Sequence, residues 1–379
     1  MKNVKFVKKA LAMVLAAAMS LSLAACGSGA ASSASAASAA ASAADSAPAV
    51  PATEETQAST AGETTAAEST VYKVGIVKYV DDASLDQIES AIQAELDAKG
   101  QELGVTFDYA DYTKNGQADS TTLNQIASDL VADNVDVIIP IATPAALIMQ
   151  TATEENQIPV VFSAVSDPVS AGLVDSLDAP GSNVTGTSDA LNVEAIIDLM
   201  LAANPDLKKL GLLYDQGQDS SKSAIASAEA YCQEKGIEVV EKTGTTNDEI
   251  ALAADALIAA GVDAVFTPTD NTVMTAELAI YEKFVDAKIP HYAGADSFAL
   301  NGAFCGYGVN YVTLGTATAD IVVDILVNGA DPAATPVQIM SSGIAMVNTE
   351  TAEAIGLDYS AFNDLCEEVK ETVTQESFD

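Results

Sequence analysis

Val135-Asp136-Val137-Ile138-Ile139-Pro140-Ile141-Ala142, followed at once by Thr143-Pro144, is the stretch on which the fold turns. Apart from Asp136 it is apolar without alternation, the pattern of a strand covered on both faces, as in parallel sheets. The Thr-Pro that follows reads as a helix start, with Thr143 capping and Pro144 in the first helical position. A buried strand that runs straight into a helix is one half of a βαβ unit.

The same alternation extends in both directions. Val71–Val80 reads as a buried strand, Ser84–Leu103 as a helix with Leu85, Ile88, Ile92 and Leu96 on one face, Val105–Tyr112 as a second strand and Thr121–Ala132 as a helix. Beyond the opening stretch, Thr143–Glu155 is helical and Pro159–Ser166 is the next strand. The pattern then starts again: strands at Lys208–Tyr214, Ile237–Lys242, Asp263–Thr267 and Pro290–Ala293, with helices at Ser220–Lys235, Asp248–Ala260 and Thr272–Ala287. Two successive βα sets predict an α/β protein of two Rossmann-like lobes with parallel sheets and right-handed crossovers. Irregular stretches at 181–191, 306–311 and 335–343 are where the chain can cross, giving a three-crossing hinge. The expected N-terminal lobe is 71–187 plus 311–336, including a helix at Val312–Asn328. The expected C-terminal lobe is 188–310 plus 337–379.

Composition narrows the function. Asp and Glu number 54 against 16 basic residues, all of them lysine, for a net charge of −38. So negative a surface repels nucleic acid and anionic membrane, which excludes both as partners. Cys232, Cys305 and Cys366 stand alone with no Cys-x-x-Cys and no neighbouring histidine, so no metal site is expected and buried thiols are. His291, the single histidine, follows Pro290 at a strand start, and there is neither a phosphate-binding Gly-Lys loop nor a dinucleotide glycine motif. The chain is therefore expected to be no enzyme and to need no cofactor.

In open α/β sheets ligands bind beyond the carboxyl ends of strands, where helix N-termini point. The residues at those positions are of one kind. They are Thr143; Ser166 and Asp167 before Pro168; Ser188 and Asp189; Thr269, Asp270 and Asn271; Asp296; and Asn310. Helix starts with hydroxyls bind a carboxylate without any basic side chain, and aspartates accept an ammonium. The set fits a small zwitterion, with Thr143, Ser166 and Ser188 on the carboxylate. Asp270 is expected on the ammonium, with Asp167, Asp189 and Asp296 as further candidates. Tyr79 is a candidate to stack on a flat ligand, and Tyr214, Tyr307 and Tyr311 also fall near the expected cleft.

Two resemblances sharpen these expectations. Lys2, Lys5, Lys8 and Lys9, an apolar run Ala10–Leu23 and then Leu23-Ala24-Ala25-Cys26 resemble a lipoprotein signal peptide (1–25) with its lipobox cysteine. This implies cleavage, acylation of Cys26 and a lipid anchor on the outer face of the cell membrane, in a Gram-positive-type envelope. The following residues to Thr70 are almost all Ala, Ser, Thr and Glu, too poor in apolar side chains to fold, so 26–70 is expected to be a disordered tether of roughly 35–40 Å reach.

The second lies in the globular part. Ile158-Pro159-Val160-Val161-Phe162-Ser163-Ala164-Val165-Ser166-Asp167-Pro168-Val169 is similar to a segment of the tryptophan/tyrosine (TrpX-like) group of ABC-transporter substrate-binding proteins. So are Asn183–Asp189 (NVTGTSD), Thr269–Val273 (TDNTV) and Gly308-Val309-Asn310-Tyr311 with Leu314-Gly315, and the likeness spans about Val71 to Asn348. It implies a type I periplasmic-binding-protein fold, an ABC permease and its ATPase as partners, a monomer, and an aromatic amino acid as ligand. The alternative is a ligand-sensing lipoprotein of the same fold that signals to a membrane receptor. One segment departs from the group: where it often shows a histidine-containing stretch, this chain has Asp81-Asp82-Ala83-Ser84-Leu85-Asp86, which adds negative charge at that cleft edge.

Overall fold

The computed structural model describes residues 70–375 and 377; the expected signal peptide, Cys26 and the tether up to residue 69 lie outside them. The first sheet is built from β1 (Val71–Lys78), β2 (Thr106–Asp108), β3 (Thr113–Asn115), β4 (Val137–Ile141), β5 (Val160–Phe162) and β6 (Val184–Ser188). Helices α1 (Ala83–Leu103), α2 (Ser120–Ala132) and α3 (Thr143–Thr153) connect them. The opening stretch of sequence is β4, every residue of it buried, between β1 and β5. Pro140 gives up one ladder donor there, while its carbonyl still accepts from Ser163 N–H at 2.9 Å.

After β6 the chain enters the second lobe through α4 (Val193–Ala203). There β7 (Lys209–Tyr214), α5 (Asp219–Lys235), β8 (Glu238–Thr243), α6 (Asn247–Ala260), β9 (Ala264–Thr267), α7 (Asn271–Ala287), β10 (His291–Ala293), α8 (Asp296–Leu300) and β11 (Cys305–Gly308) alternate in order. The chain returns to the first lobe as α9 (Tyr311–Leu326) and β12 (Gln338–Ile339). It ends in the second as β13 (Ile344–Asn348), α10 (Thr349–Ile355) and β14 (Glu368–Thr372). Strand order is β12-β6-β5-β4-β1-β2, with β3 also on β1, in one sheet, and β14-β13-β11-β10-β9-β7-β8 in the other. All the strand pairings are parallel except β11 with β13. The fold is two α/β lobes with parallel-dominated sheets, as the sequence pattern predicts.

Burial follows the pleat. On β1 and β4, Ile76 and Ile139 face a core with Ile88, Ile92 and Leu96 of α1 and Leu314 of α9. Their neighbours Val77 and Ile138 face Leu123, Leu130 and Met149 of α2 and α3. This two-sided covering is why both strands read as continuous apolar runs. α9 reaches α1 closely because of Gly315, where a Cβ would sit 2.7 Å from the Ile88 carbonyl oxygen. In the second lobe Leu212 and Phe266 pack toward Ile196, Met200 and Cys232, and Leu213 and Val265 toward Ile250, Ile280 and Phe284.

Three sequence expectations are corrected. Of the strand expected over Val105–Tyr112 only Thr106–Asp108 forms, as β2; the chain then turns where Tyr112 N–H bonds the Tyr109 carbonyl and rejoins β1 further along as β3, beyond the expected end. Ser188 closes β6 of the first sheet rather than opening the second lobe. Gln338–Ile339, expected in the C-terminal lobe, is β12, paired with Thr187 and Ser188 at the edge of the first sheet. The crossings between the sheets therefore lie at 189–192, 309–310 and 340–343.

Candidate ligand-binding cleft

The carboxyl ends of β4, β5 and β6 face the helix starts of α5 and α7, and a narrow cavity separates them. Its walls include Ala142, Thr143, Ala164, Ser166, Asp189 and Tyr311 from the first lobe and the hinge, and Ser220, Thr269, Asn271 and Met274 from the second. Two strand ends here carry unusual backbone. Ala142 has φ 80° and Ala164 φ 55°, conformations that cost a non-glycine residue energy and cluster at binding sites. At Ala142 the twist sets the first turn of α3 facing the cavity.

Thr143 is the first residue of α3 rather than its cap: Ala142 occupies the cap position and no side chain bonds the first amides. The Thr143 hydroxyl is buried without a hydrogen-bond partner, and so is that of Ser220 in the first turn of α5. Two orphan hydroxyls at helix starts of opposite lobes thus face one cavity. Such groups carry a desolvation cost until a ligand pairs them.

Asp189 lies on the first crossing and is 4% exposed. It accepts from the Ser166 hydroxyl at 3.0 Å and is part of no ion pair among the described residues. Burial pushes its carboxyl up to about 6, against the Ser166 hydrogen bond, which favours the ionised form. A buried, cavity-facing carboxylate without a countercharge is a receptor for a cation. Ser166 also meets Thr269 of the other lobe, hydroxyl to hydroxyl at 2.7 Å.

Asp270 is placed differently from the expectation. It is fully buried, caps α7 by accepting from Thr272 and Val273 N–H at 3.1 and 3.0 Å, and accepts from Asp215 N–H and the Ser221 hydroxyl at 2.8 and 2.6 Å. Four donors from its own lobe fill both oxygens and leave none free for a ligand. Asn271 lines the cavity and donates to Gln218 at 2.9 Å.

Asp296 is turned away from the cavity. It accepts from the Ser84 hydroxyl at 2.6 Å and Gln87 at 3.1 Å, both on α1 of the other lobe. No helix follows Ser166-Asp167-Pro168; Asp167 bonds Ser170 N–H in a turn, in a second, more open recess with Pro168, Val169, Leu191 and Ile339. Ser188 bonds the Ser166 carbonyl and Ala190 N–H, and Asn310 caps α9 through Thr313 N–H. Tyr79 is half-buried outside the cavity walls, beside Gln218, and burial raises its phenol. Of the tyrosines, Tyr311 lines the cavity, while Tyr214 reaches Glu241 at the surface.

Sequence reasoning missed Ser84, Ser220 and Met274. Ser220 was legible as the start of a helix after a strand end, since α5 follows β7 as α3 follows β4. His291, the single histidine, is buried between Glu277 and Thr267 at 3.0 and 2.8 Å. Cys232 and Cys305 are buried free thiols and Cys366 is partly covered.

Comparison with known proteins gives one answer. The model of the family described as ABC transporter substrate binding protein matches residues 73–368. A tyrosine-binding protein of Clostridioides difficile is 32% identical over 286 residues, 75% of this chain and 81% of that one. Among solved structures, an ABC domain in complex with L-Trp from Streptococcus pneumoniae has a TM-score of 0.73 at 30% identity, covering 79% of this chain and 100% of the other. A ligand-free, open substrate-binding protein with adhesive properties from Clostridium difficile scores 0.62 at 31% identity, covering 80% and 100%. At 30–31% identity and 79–80% coverage of this chain the higher score falls to the ligand-bound structure, in keeping with lobes that touch through Ser84–Asp296 and Ser166–Thr269. A solute-binding protein from Bacillus halodurans with bound myo-inositol, 15% identical, shares the fold. With the greater part of its length matched, the chain belongs to the ABC transporter substrate-binding protein family.

Proposed function

We propose that this protein binds an aromatic amino acid, tyrosine or tryptophan, between its lobes and delivers it to an ABC permease powered by its ATPase. The observation that carries the reading is the cavity itself, where unpaired Asp189 shares one small space with the orphan hydroxyls of Thr143 and Ser220. The ligand ammonium pairs with Asp189 and Ser166. Its carboxylate takes the Thr143 and Ser220 hydroxyls and the free amides at the start of α3, where the helix dipole favours an anion. Met274, Leu85 and Tyr311 supply apolar walls for the side chain. The names of the relatives support the aromatic class. Nothing is turned over; the ligand is returned unchanged.

The protein works outside the cytoplasm, as substrate-binding components of importers do. We place it on the membrane surface as a monomer, held through acylated Cys26 by its tether; two acyl chains suffice for stable anchoring. Metabolic labelling with a fatty-acid analogue tests the anchor: Cys26→Ala should abolish incorporation, and retained label would refute it.

The chain contains no tryptophan, so tryptophan added to it reports its own burial by its fluorescence. Calorimetry with tyrosine, tryptophan and phenylalanine, and a thermal-shift screen of the other amino acids, complete the test. A ligand at ~100 times its dissociation constant adds ~2.7 kcal/mol of stability. If no amino acid shifts the melt, the ligand class is wrong.

A further inference from the structure

Beside the cavity the lobes hold each other through a second set of groups. Asp82 caps α1 by accepting from Ser84 and Leu85 N–H at 2.8 and 3.3 Å. The Ser84 hydroxyl donates to Asp296 across the lobes at 2.6 Å and accepts from Ser297 N–H at 3.2 Å. Gln87, one turn along α1, reaches the other Asp296 oxygen at 3.1 Å. The starts of α1 and α8 thus interlock, with Ser84 set between Asp82 of its own lobe and Asp296 of the other, and with the Ser297 amide on the Ser84 hydroxyl.

We propose that Asp82, Ser84 and Gln87 of the first lobe and Asp296 and Ser297 of the second form a clasp that holds the lobes shut and takes up protons as it closes. The inference rests on the binding reading above, in which closure traps the ligand. Its physical basis is the set of hydrogen bonds made across the lobes, which leaves two like-charged carboxyl groups half-buried between the starts of α1 and α8. Burial pushes Asp82 up to about 6, with the charge of Asp296 adding to it and the hydrogen bonds from the Ser84 and Leu85 amides opposing. Burial likewise raises Asp296, opposed by its hydrogen bonds from Ser84 and Gln87 and by Lys370 on β14.

The Tyr311 phenol on α9, itself pushed up by burial, lies beside Asp82, Asp296 and Asp189. Lys78, at the end of β1, is engaged by Asp81, Asp86 and Glu89 and pairs with neither clasp aspartate. When the lobes part, Asp82 and Asp296 return to water and to the ordinary carboxylate range. The closed state therefore binds protons more readily than the open one, and acid favours closure. Asp189 adds a contribution of the same sign in the empty protein.

The test places a donor and an acceptor dye on the two lobes and reads the closed fraction of the ligand-free protein from neutral pH down to about 5. Expected is a closed fraction that rises on acidification. Asp82→Asn keeps a capping oxygen but removes the charge, so it should raise the closed fraction at neutral pH and shrink the acid response to the part owed to Asp296 and Asp189. Asp296→Ala should open the empty protein and speed ligand dissociation by roughly tenfold or more, the loss of two charged hydrogen bonds across the lobes, without altering the ratio of tyrosine to tryptophan affinity. Gln87→Ala repeats that direction more weakly and guards against a folding defect. A closed fraction that ignores pH, an Asp82→Asn protein that titrates like the original, or a changed affinity ratio in Asp296→Ala would each overturn the proposal. Failure of the binding reading shows separately, as a protein that closes on acidification but binds no amino acid.

Discussion

Replacing Asp189 by asparagine moves affinity and stability in opposite directions, which makes it the most demanding test of the ligand pose. Asparagine is nearly isosteric and still accepts from the Ser166 hydroxyl, so the cavity keeps its shape and loses its charge. Removing one partner of a buried charge pair costs about 2–5 kcal/mol. With one hydrogen bond retained the lower part of that range applies, about 2–3 kcal/mol, or roughly 30- to 150-fold in affinity for the amino acid. The sign with pH follows from the carboxyl standing at about 6 in the empty cleft. A bound ammonium demands the ionised form, so below about 6 binding must expel a proton and affinity falls up to tenfold per pH step. The variant lacks that acid limb. Without ligand the ionised, unpaired Asp189 is a burden of up to about 3 kcal/mol relative to a solvated carboxylate, so the empty variant should melt higher at neutral pH. Titration calorimetry from neutral pH to about 5, with scanning calorimetry of the empty protein, measures both. An affinity within threefold of the original, or an unchanged acid limb, would refute the pose.

Thr143→Val removes an orphan hydroxyl at constant shape; it should weaken amino-acid binding by roughly 5- to 20-fold in calorimetry while leaving the melting temperature unchanged or higher. Asp270→Ala deprives four donors of their acceptor and should destabilise the protein by about 2–4 kcal/mol in denaturant titration; a loss of affinity without loss of stability would return it to the ligand. Gly315→Val forces side-chain atoms against the Ile88 carbonyl and should cost about 1–3 kcal/mol of stability, read as a lower denaturation midpoint. Acidification from neutral toward pH 5 should stabilise the empty protein, because the raised carboxyls of Asp82, Asp189 and Asp270 bind protons in the folded state before the unfolded one.

The two-lobed plan was legible because covered parallel strands have a signature that needs no tertiary knowledge, the unbroken apolar run of Val137–Ile141 between helix-period segments. The site was legible as a neighbourhood: strand-end residues Thr143, Ser166, Asp189, Thr269 and Asn271 do converge on one cavity. Roles within it were not. Thr143 does not make the helix cap expected of it, because the backbone twist at Ala142 leaves its hydroxyl free, and Asp270, expected to meet a ligand, is occupied by four same-lobe donors. Such outcomes depend on which donors the other elements bring within reach, and Asp215 and Ser221 lie far from Asp270 in the chain. Asp296 shows the same limit, since its partners Ser84 and Gln87 come from the opposite lobe.

The return of the chain as α9 has a consequence for how the molecule is made. The face of β1 and β4 that α1 leaves bare is closed by Leu314 and Ile321, residues that arrive only after β7 through β11 of the other lobe. The core of the first lobe is therefore incomplete until α9 has been made. A chain cut after Gly308 would keep an intact β1–β6 core sheet but expose the apolar surface meant for α9, and would aggregate rather than bind. Contacts this distant in sequence make for slow folding with partly built intermediates. The arrangement that lets three strands of chain act as a hinge also makes the last fifth of the sequence, from Tyr311 on, the step on which both lobes wait.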